Sequence, residues 1–309
     1  MSDVPEKIIL LTELPADLRA ALEAKFELIV PSLDNTQGVQ IAVTTAMHGL
    51  SLQDLEKFPD IRLVLSQGVG LEKLDLEAAT AREVLVSVTP NILTEDVADF
   101  AIGLTYAISR RIVEADRFVR AGRWGGERIR PSTSLHKKRM GIVGMGRIGQ
   151  AIARRAVGLG MDVCYSSRTK NHNLSYGYEP TPQALAAVSD VLVLACPGGP
   201  ATEKLCDQTV LRALGAQGFL INISRGSVVD EPALLAALES FAIAGAGLDV
   251  FETEPALNAR FVALDNVVLT PHSASVTQEV RRELIRNMLE EAGDFVAGKE
   301  LKNVANAAD

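Results

Sequence analysis

A chain of 309 residues, 47% hydrophobic and 23% charged, has enough apolar material for two cores and the make-up of an ordinary globular protein. Its net charge of −8 argues against a nucleic-acid partner, whose phosphates call for a basic surface, and means that an anionic substrate needs local positive charge. Cys164, Cys196 and Cys206 are an odd number without a CxxC pair and read as reduced thiols of a cytoplasmic protein; residues 1–7 are too polar for a signal peptide, and no apolar run is long enough to cross a bilayer.

From the N-terminus, apolar runs at 8–11, 28–30, 41–43, 63–65 and 84–86 alternate with helical patterns. The alternation continues with runs at 141–143, 162–165, 191–194, 219–222, 247–250 and 267–269. Continuous Val/Ile/Leu runs predict parallel strands covered on both faces, and so an α/β fold of two doubly wound parallel-sheet domains. A long helix over 96–121, stopped at Gly122, leads out of the first unit. Another over 277–297, with Leu284, Ile285, Met288, Leu289 and Phe295 at helical spacing, is expected to return to it. The first domain is then discontinuous, 1–97 with 276–309, the second occupies 98–275, and a cleft is expected between them.

The strand at 141–143 runs into Gly144-Met145-Gly146-Arg147-Ile148-Gly149. This is the spacing of a strand that turns into a helix whose N-terminus holds a pyrophosphate. The first glycine permits the turn, the second lets backbone approach the phosphates, and the third lets helix pack on strand. Glycine triplets also mark ordinary turns, but the helical pattern at 148–158 and the strand after it complete a βαβ unit of about 30 residues. NAD sites end that second strand with Asp or Glu, which accepts from the ribose hydroxyls. Here stand Ser166-Ser167-Arg168-Thr169-Lys170. No carboxylate repels a 2′-phosphate, the hydroxyls can donate to one, Arg168 offers a fork of donors, and Lys170 is a second charge. NADP(H) is therefore expected first and NAD(H) second; the plainer alternative leaves Arg168 and Lys170 as solvated loop charges. Residues 171–180 read as a loop, and Thr181 before Pro182 and Asp230 before Glu231-Pro232 read as helix N-caps.

Three more strand ends carry polar residues that the fold does not require: Asn222-Ile223-Ser224-Arg225-Gly226, Asp249 to Glu254 with Pro255 behind it, and Thr270-Pro271-His272-Ser273-Ala274-Ser275. Singly, each has an ordinary reading: Arg225 capping a helix, Glu254 in a surface turn, His272 in a loop. Ligands of an open parallel sheet bind outside the carboxyl ends of its strands, where all three would converge. Hydride transfer to a carbonyl needs a proton donor, a carboxylate anchor and a group that holds the donor charged. His48, His136 and His172 lack such company, and the His and Cys residues are too scattered to suggest a metal site.

The ordered segments SQGVGLEKLDL, LTEDVADFAIGL, GIVGMGRIGQAIARR, LGAQGFLINISRGSVVDEPALLAAL, AGAGLDVFETEP and LDNVVLTPHSAS resemble the D-isomer-specific 2-hydroxyacid dehydrogenases over nearly the whole chain. SSRTK, DEPALL and VFETEP are most similar to the NADPH-preferring glyoxylate/hydroxypyruvate reductases, including the hydroxyphenylpyruvate reductase branch. The resemblance implies a Rossmann cofactor domain inserted in a discontinuous flavodoxin-like substrate domain. It also implies a homodimer built on the cofactor domains, with the 96–121 helix as a candidate contact, and reduction of small 2-oxo acids to D-2-hydroxy acids.

Residue by residue, the resemblance implies that His272 protonates the carbonyl oxygen, that Glu254 pairs with it and raises its pKa, and that Arg225 binds the substrate carboxylate with the N–H groups of Val69 and Gly70. The cofactor set is the glycine motif with Arg147 and Ile148, then Ser166, Ser167, Arg168 and Thr169, then Cys196, Pro197, Thr202, Ile223, Asp249 at the nicotinamide amide, His272 and Ser275. Cys196-Pro197-Gly198-Gly199 departs from the family wording, as does Glu72 where Asp is usual. The runners-up are D-3-phosphoglycerate dehydrogenase, formate dehydrogenase, where Gln replaces Glu254, and, from another class, a nucleotide-sensing corepressor.

Overall fold

The computed structural model describes residues 6–31 and 36–307; residues 1–5 of the polar start lie outside them. In chain order come β1 (Lys7–Leu10), α1 (Ala16–Glu23), β2 (Glu27–Ile29), β3 (Ile41–Thr45), α2 (Leu52–Lys57), β4 (Leu63–Gln67), α3 (Leu76–Ala81) and β5 (Leu85–Ser87). Then follow α4 (Thr94–Ser109), α5 (Ile112–Arg120), β6 (Arg139–Val143), α6 (Arg147–Gly158), β7 (Asp162–Ser166), β8 (Gly177–Tyr178), α7 (Pro182–Ala187) and β9 (Val191–Leu194). The last are α8 (Gln208–Leu214), β10 (Phe219–Asn222), α9 (Glu231–Glu239), β11 (Gly245–Leu248), α10 (Ala259–Val262), β12 (Val267–Leu269) and α11 (Gln278–Val296). Contacts divide the chain into two compact units, 1–92 with 277–309, and 93–276. Helix α4 belongs whole to the second unit, so the passage between units falls ahead of it and not at 97–98.

The first unit is a five-stranded parallel sheet in the flavodoxin-like order β2-β1-β3-β4-β5. One face packs Ile8, Leu10, Ile41 and Leu63 against Leu18 and Leu22 of α1 and Met288 and Ala292 of α11. The other packs Ile9, Val64 and Val86 against Leu55 of α2 and Ala79 of α3. Burial on both faces is why these strands read as unbroken apolar runs. The return of α11 is fixed by buried Glu291, which accepts from Ser87 Oγ on β5 (3.1 Å) and from Asn303 Nδ2 (3.0 Å).

The second unit is a seven-stranded parallel sheet in the order β12-β11-β10-β9-β6-β7-β8, the Rossmann arrangement with its topological switch between β6 and β9. Helices α4 and α6 cover one face through Val97, Ala101, Leu104, Ile152 and Ala156. Helices α7, α8 and α9 cover the other through Leu185, Leu211, Leu214, Leu234 and Leu238. Thr181 and Asp230 accept from the backbone N–H groups of Ala184 and Ala233, capping α7 and α9.

Three elements differ from the sequence reading. The helix expected over 96–121 is two helices, because Arg111 adopts a left-handed conformation (φ 57°) and Ser109 O accepts from Thr133 N–H (2.9 Å) outside the helix. The loop expected at 171–180 contains β8, whose two residues pair with β7 at the sheet edge. Strand β11 runs from 245 to 248, which leaves Asp249 and Val250 in the loop after it.

Candidate active site

Register decides what meets at the carboxyl edge of the second sheet. Ser166, Val143, Leu194, Asn222, Leu248 and Leu269 lie in one row across six strands. The chains that leave this row therefore emerge side by side, and they carry the glycine motif, the SSRTK segment, Cys196-Pro197, Arg225, Glu254 and His272.

Gly144 turns out of β6 with φ 95°, and a Cβ there would stand 2.6 Å from Cys196 N, so the turn admits only glycine. A Cβ on Gly149 would collide with Gly144 O, so the third glycine permits the close seating of α6. At Gly146 a Cβ would meet nothing within 4 Å. Gly146 caps α6 with no side chain, which leaves the first helical N–H groups open above the switch point. These features fit a dinucleotide pyrophosphate. Arg147 is exposed beside them, and Ile148 packs into the apolar face below.

At the end of β7, Ser166 is buried and its carbonyl accepts from Gly144 N–H (2.8 Å). Ser167 Oγ donates to Thr169 O (2.8 Å), and Arg168, Thr169 and Lys170 are exposed. Lys170 Nζ lies 5.8 Å from the centre of the Tyr178 ring, on β8, while Arg168 is left to the open turn.

Asn222 shapes the Arg225 loop from inside: its Oδ1 accepts from Ser224 N–H (3.0 Å) and its Nδ2 donates to Arg225 O (3.0 Å). Ser224 Oγ donates to Cys196 O, tying this loop to the end of β9. Burial pushes the Cys196 thiol above its ordinary value. Thr202 Oγ1 donates to Pro197 O (2.7 Å), and Ile223 is buried against the sheet.

Gly226 is a contact that sequence reading missed. A Cβ there would fall inside the Phe251–Glu252 peptide, so the absence of a side chain lets the Arg225 loop lie backbone to backbone on the turn that bears Glu254. Glu254 Oε1 accepts from Phe251 N–H (2.8 Å), and its Oε2 lies 2.7 Å from His272 Nδ1. Burial alone would raise the Glu254 carboxyl. The hydrogen bonds from His272 and Phe251, with the charges of His272 and Arg225, outweigh it and hold the group below its ordinary value.

Asp249, 1% exposed, anchors the histidine loop. Its Oδ1 accepts from Thr270 Oγ1 (2.6 Å) and Ser273 N–H (2.8 Å), its Oδ2 from Ala274 N–H (2.9 Å), and its carbonyl from His272 N–H (2.9 Å). His272 sits in this loop at φ 53°, and Ser275, half-buried, closes it. Most of the Asp249 acceptor capacity is thus spent on the loop. The Glu254 carboxylate engages His272 at Nδ1 and leaves Nε2 as the ring nitrogen that it does not engage.

In the first unit, Val69 and Gly70 follow β4 at its carboxyl end. Gly68 sets their direction with φ 124°, and its N–H and carbonyl both bond Thr89 Oγ1 (3.0 Å each). Thr89 escaped the sequence reading, and Asn222 was read there only as part of its strand-end segment, because a side chain that shapes a loop carries no spacing signal. Gly226, a glycine next to a candidate anion anchor, did carry one.

The family model described as "D-isomer specific 2-hydroxyacid dehydrogenase, NAD binding domain" matches residues 102–274. Over 306 residues the chain is 40% identical to 2-ketogluconate reductase of Gluconobacter oxydans (strain 621H), covering 97% of this chain and 98% of that one. It is 42% identical over 263 residues to glyoxylate/hydroxypyruvate reductase A of Arabidopsis thaliana, covering 85% and 84%. The structure superposes with a TM-score of 0.90 on an NADPH-dependent glyoxylate/hydroxypyruvate reductase from Sinorhizobium meliloti solved with NADP and malonate, at 35% identity and 97% coverage of both chains.

Proposed function

The chain belongs to the D-isomer specific 2-hydroxyacid dehydrogenase family, and on that premise we propose that it is an NADPH-dependent reductase of small 2-oxo acids, glyoxylate and hydroxypyruvate foremost, giving D-2-hydroxy acids. The observation that carries this reading is the 2.7 Å contact of His272 with Glu254, one strand end from Arg225. It joins a proton donor, the group that keeps the donor charged, and an anion anchor.

The turn from Gly144 to Gly149 would hold the pyrophosphate, with Arg147 and Ile148 at the helix start, and Ser166, Ser167, Arg168 and Thr169 the 2′-phosphate. Cys196, Pro197, Thr202, Ile223, Asp249 and Ser275 would flank the rest of the cofactor, which supplies the hydride when bound. Arg225 grips the substrate carboxylate through two parallel bonds, and His272 Nε2 gives its proton to the carbonyl oxygen. Glu254 stabilises the imidazolium that this step consumes. Val69 and Gly70 are the first unit's candidates for the same carboxylate. On this reading the second unit is the cofactor domain and the first the substrate domain. The enzyme is a cytoplasmic homodimer, in keeping with three buried, unpaired cysteines and an exposed apolar patch along α5.

The test follows NADPH and NADH oxidation at 340 nm against glyoxylate, hydroxypyruvate, pyruvate, phenylpyruvate, 4-hydroxyphenylpyruvate and 2-ketogluconate. NADPH-selective turnover of glyoxylate or hydroxypyruvate is the expected result. Preference for 2-ketogluconate would move the assignment to the second reading, which the full-length match to a 2-ketogluconate reductase favours. Equal efficiency with NADH would overturn the role given to Arg168.

A further inference from the structure

We propose that Glu231, the first residue of α9, is a positioning residue for the Glu254–His272 pair. Glu231 is 8% exposed, and its Oε2 accepts from the backbone N–H of Glu252 (3.2 Å). That peptide belongs to the turn on which Glu254 depends, because the next amide in the chain toward β11, Phe251 N–H, is the one that Glu254 Oε1 holds at 2.8 Å. The turn is therefore gripped at two successive amides, one by the residue that faces His272 and one by a buried carboxylate from another element. The Phe251–Glu252 peptide also rests against Gly226.

Glu231 follows the loop of Arg225 by one short turn of chain, so the carboxylate couples the anion-anchor segment to the segment that holds the histidine. Among the described residues, Glu254 faces His272, Arg225 acts on Glu254, and Asp249 holds the histidine loop. Glu231 and Glu252 lie on the two chains packed at the 251–254 turn. Without the Glu231 acceptor, the Glu252 amide loses its partner in a half-buried hydrogen bond and the turn loses a fixed point. Glu254 Oε2 then no longer stays at hydrogen-bonding distance from Nδ1, and the imidazolium loses its stabilising charge. What matters is the acceptor oxygen, so an amide at this position should serve.

The inference rests on the reductase reading, and its experiment separates the two. Glu231→Leu keeps the volume and removes the acceptor; Glu231→Gln keeps the acceptor and removes the charge. In the leucine variant kcat for 2-oxo acid reduction should fall roughly ten- to a hundred-fold at unchanged KM for NADPH. Its alkaline limb of activity should move to lower pH, as expected when a facing carboxylate is displaced. The glutamine variant should behave as the wild type on both counts. Hydrogen–deuterium exchange, which needs no substrate, should show the Phe251 and Glu252 amides deprotected in Glu231→Leu and protected in Glu231→Gln. A leucine variant that melts earlier or exchanges faster without moving the alkaline limb would reduce Glu231 to a structural contact and overturn the proposal. So would a glutamine variant as impaired as the leucine one. If the wild type turns over none of the panel, the reductase reading fails, and unchanged exchange in Glu231→Leu would then overturn the positioning role on its own.

Discussion

Glu254 makes opposite demands on pH in catalysis and in stability. Its carboxylate favours the charged form of the facing imidazole, so Glu254→Gln should shift the alkaline fall of reductase activity to lower pH and lower kcat by about a hundred-fold, within the usual range for general acid–base catalysis. In stability the sign comes from the carboxyl itself, which the fold holds below its ordinary value of 4.5. Such a group contributes stability that is fully present above the unfolded value and is lost as pH falls through the folded one. The melting temperature of the wild type should therefore exceed that of Glu254→Gln at neutral pH, and the two should converge as pH drops below 4.5. A gap that persists in acid would mean that the carboxylate is not the stabilising form. In the proposed reading Arg168 serves cofactor choice alone. It stands exposed on the turn after Ser167, in a segment, residues 166–170, that contains no Asp or Glu. A charge-assisted bond to a 2′-phosphate contributes about 1.5–3 kcal/mol, so Arg168→Ala should raise KM for NADPH roughly ten- to a hundred-fold and leave KM for NADH nearly unchanged.

One substitution at two turns separates folding from binding. Alanine at Gly226 would drive its methyl group into the Phe251–Glu252 peptide, where backbone has to move, and should cost about 1–3 kcal/mol of stability as well as kcat. Alanine at Gly146 would meet no protein atom, so urea unfolding should match the wild type while NADPH affinity falls. If Gly146→Ala binds NADPH normally, the α6 N-terminus does not hold the pyrophosphate. The contrast also explains what could be read without coordinates. Strands buried on both faces wrote themselves as Val/Ile/Leu runs, and the polar residues right after them, Arg225, Glu254 and His272, stood out because nothing in the sheet required them. Strand β8 was silent because two residues on a sheet edge leave no apolar run. The break between α4 and α5 was silent because Arg111, neither glycine nor proline, takes the left-handed conformation. Asn222, Thr270 and Glu231 act on the site through a neighbour's backbone or side chain, which depends on three-dimensional register and not on spacing.

At the scale of the whole molecule, the second unit turns one edge of its sheet to chemistry and leaves apolar surface elsewhere that water does not favour. Trp124, 75% exposed, Val119, 53% exposed, and Ile129 line a single hollow of about 600 Å³ together with Phe118. Exposed apolar residues scattered singly are normal, whereas these line one hollow, with Glu127 and Arg128, and form the surface that the proposed dimer would bury. A second copy is the expected occupant, since most soluble oligomers are symmetric pairs of one chain. Light scattering after size-exclusion chromatography should then give twice the chain mass, and Val119→Asp combined with Trp124→Asp should give a monomer, because two buried carboxylates cost more than the patch can return. These residues belong to the 118–129 stretch and not to the loops that leave the carboxyl edge, so the monomeric variant should still bind NADPH in a fluorescence titration. A variant that remains dimeric would place the interface on another face of the chain. A monomer that has lost NADPH affinity would mean that the patch supports the fold of the cofactor unit itself.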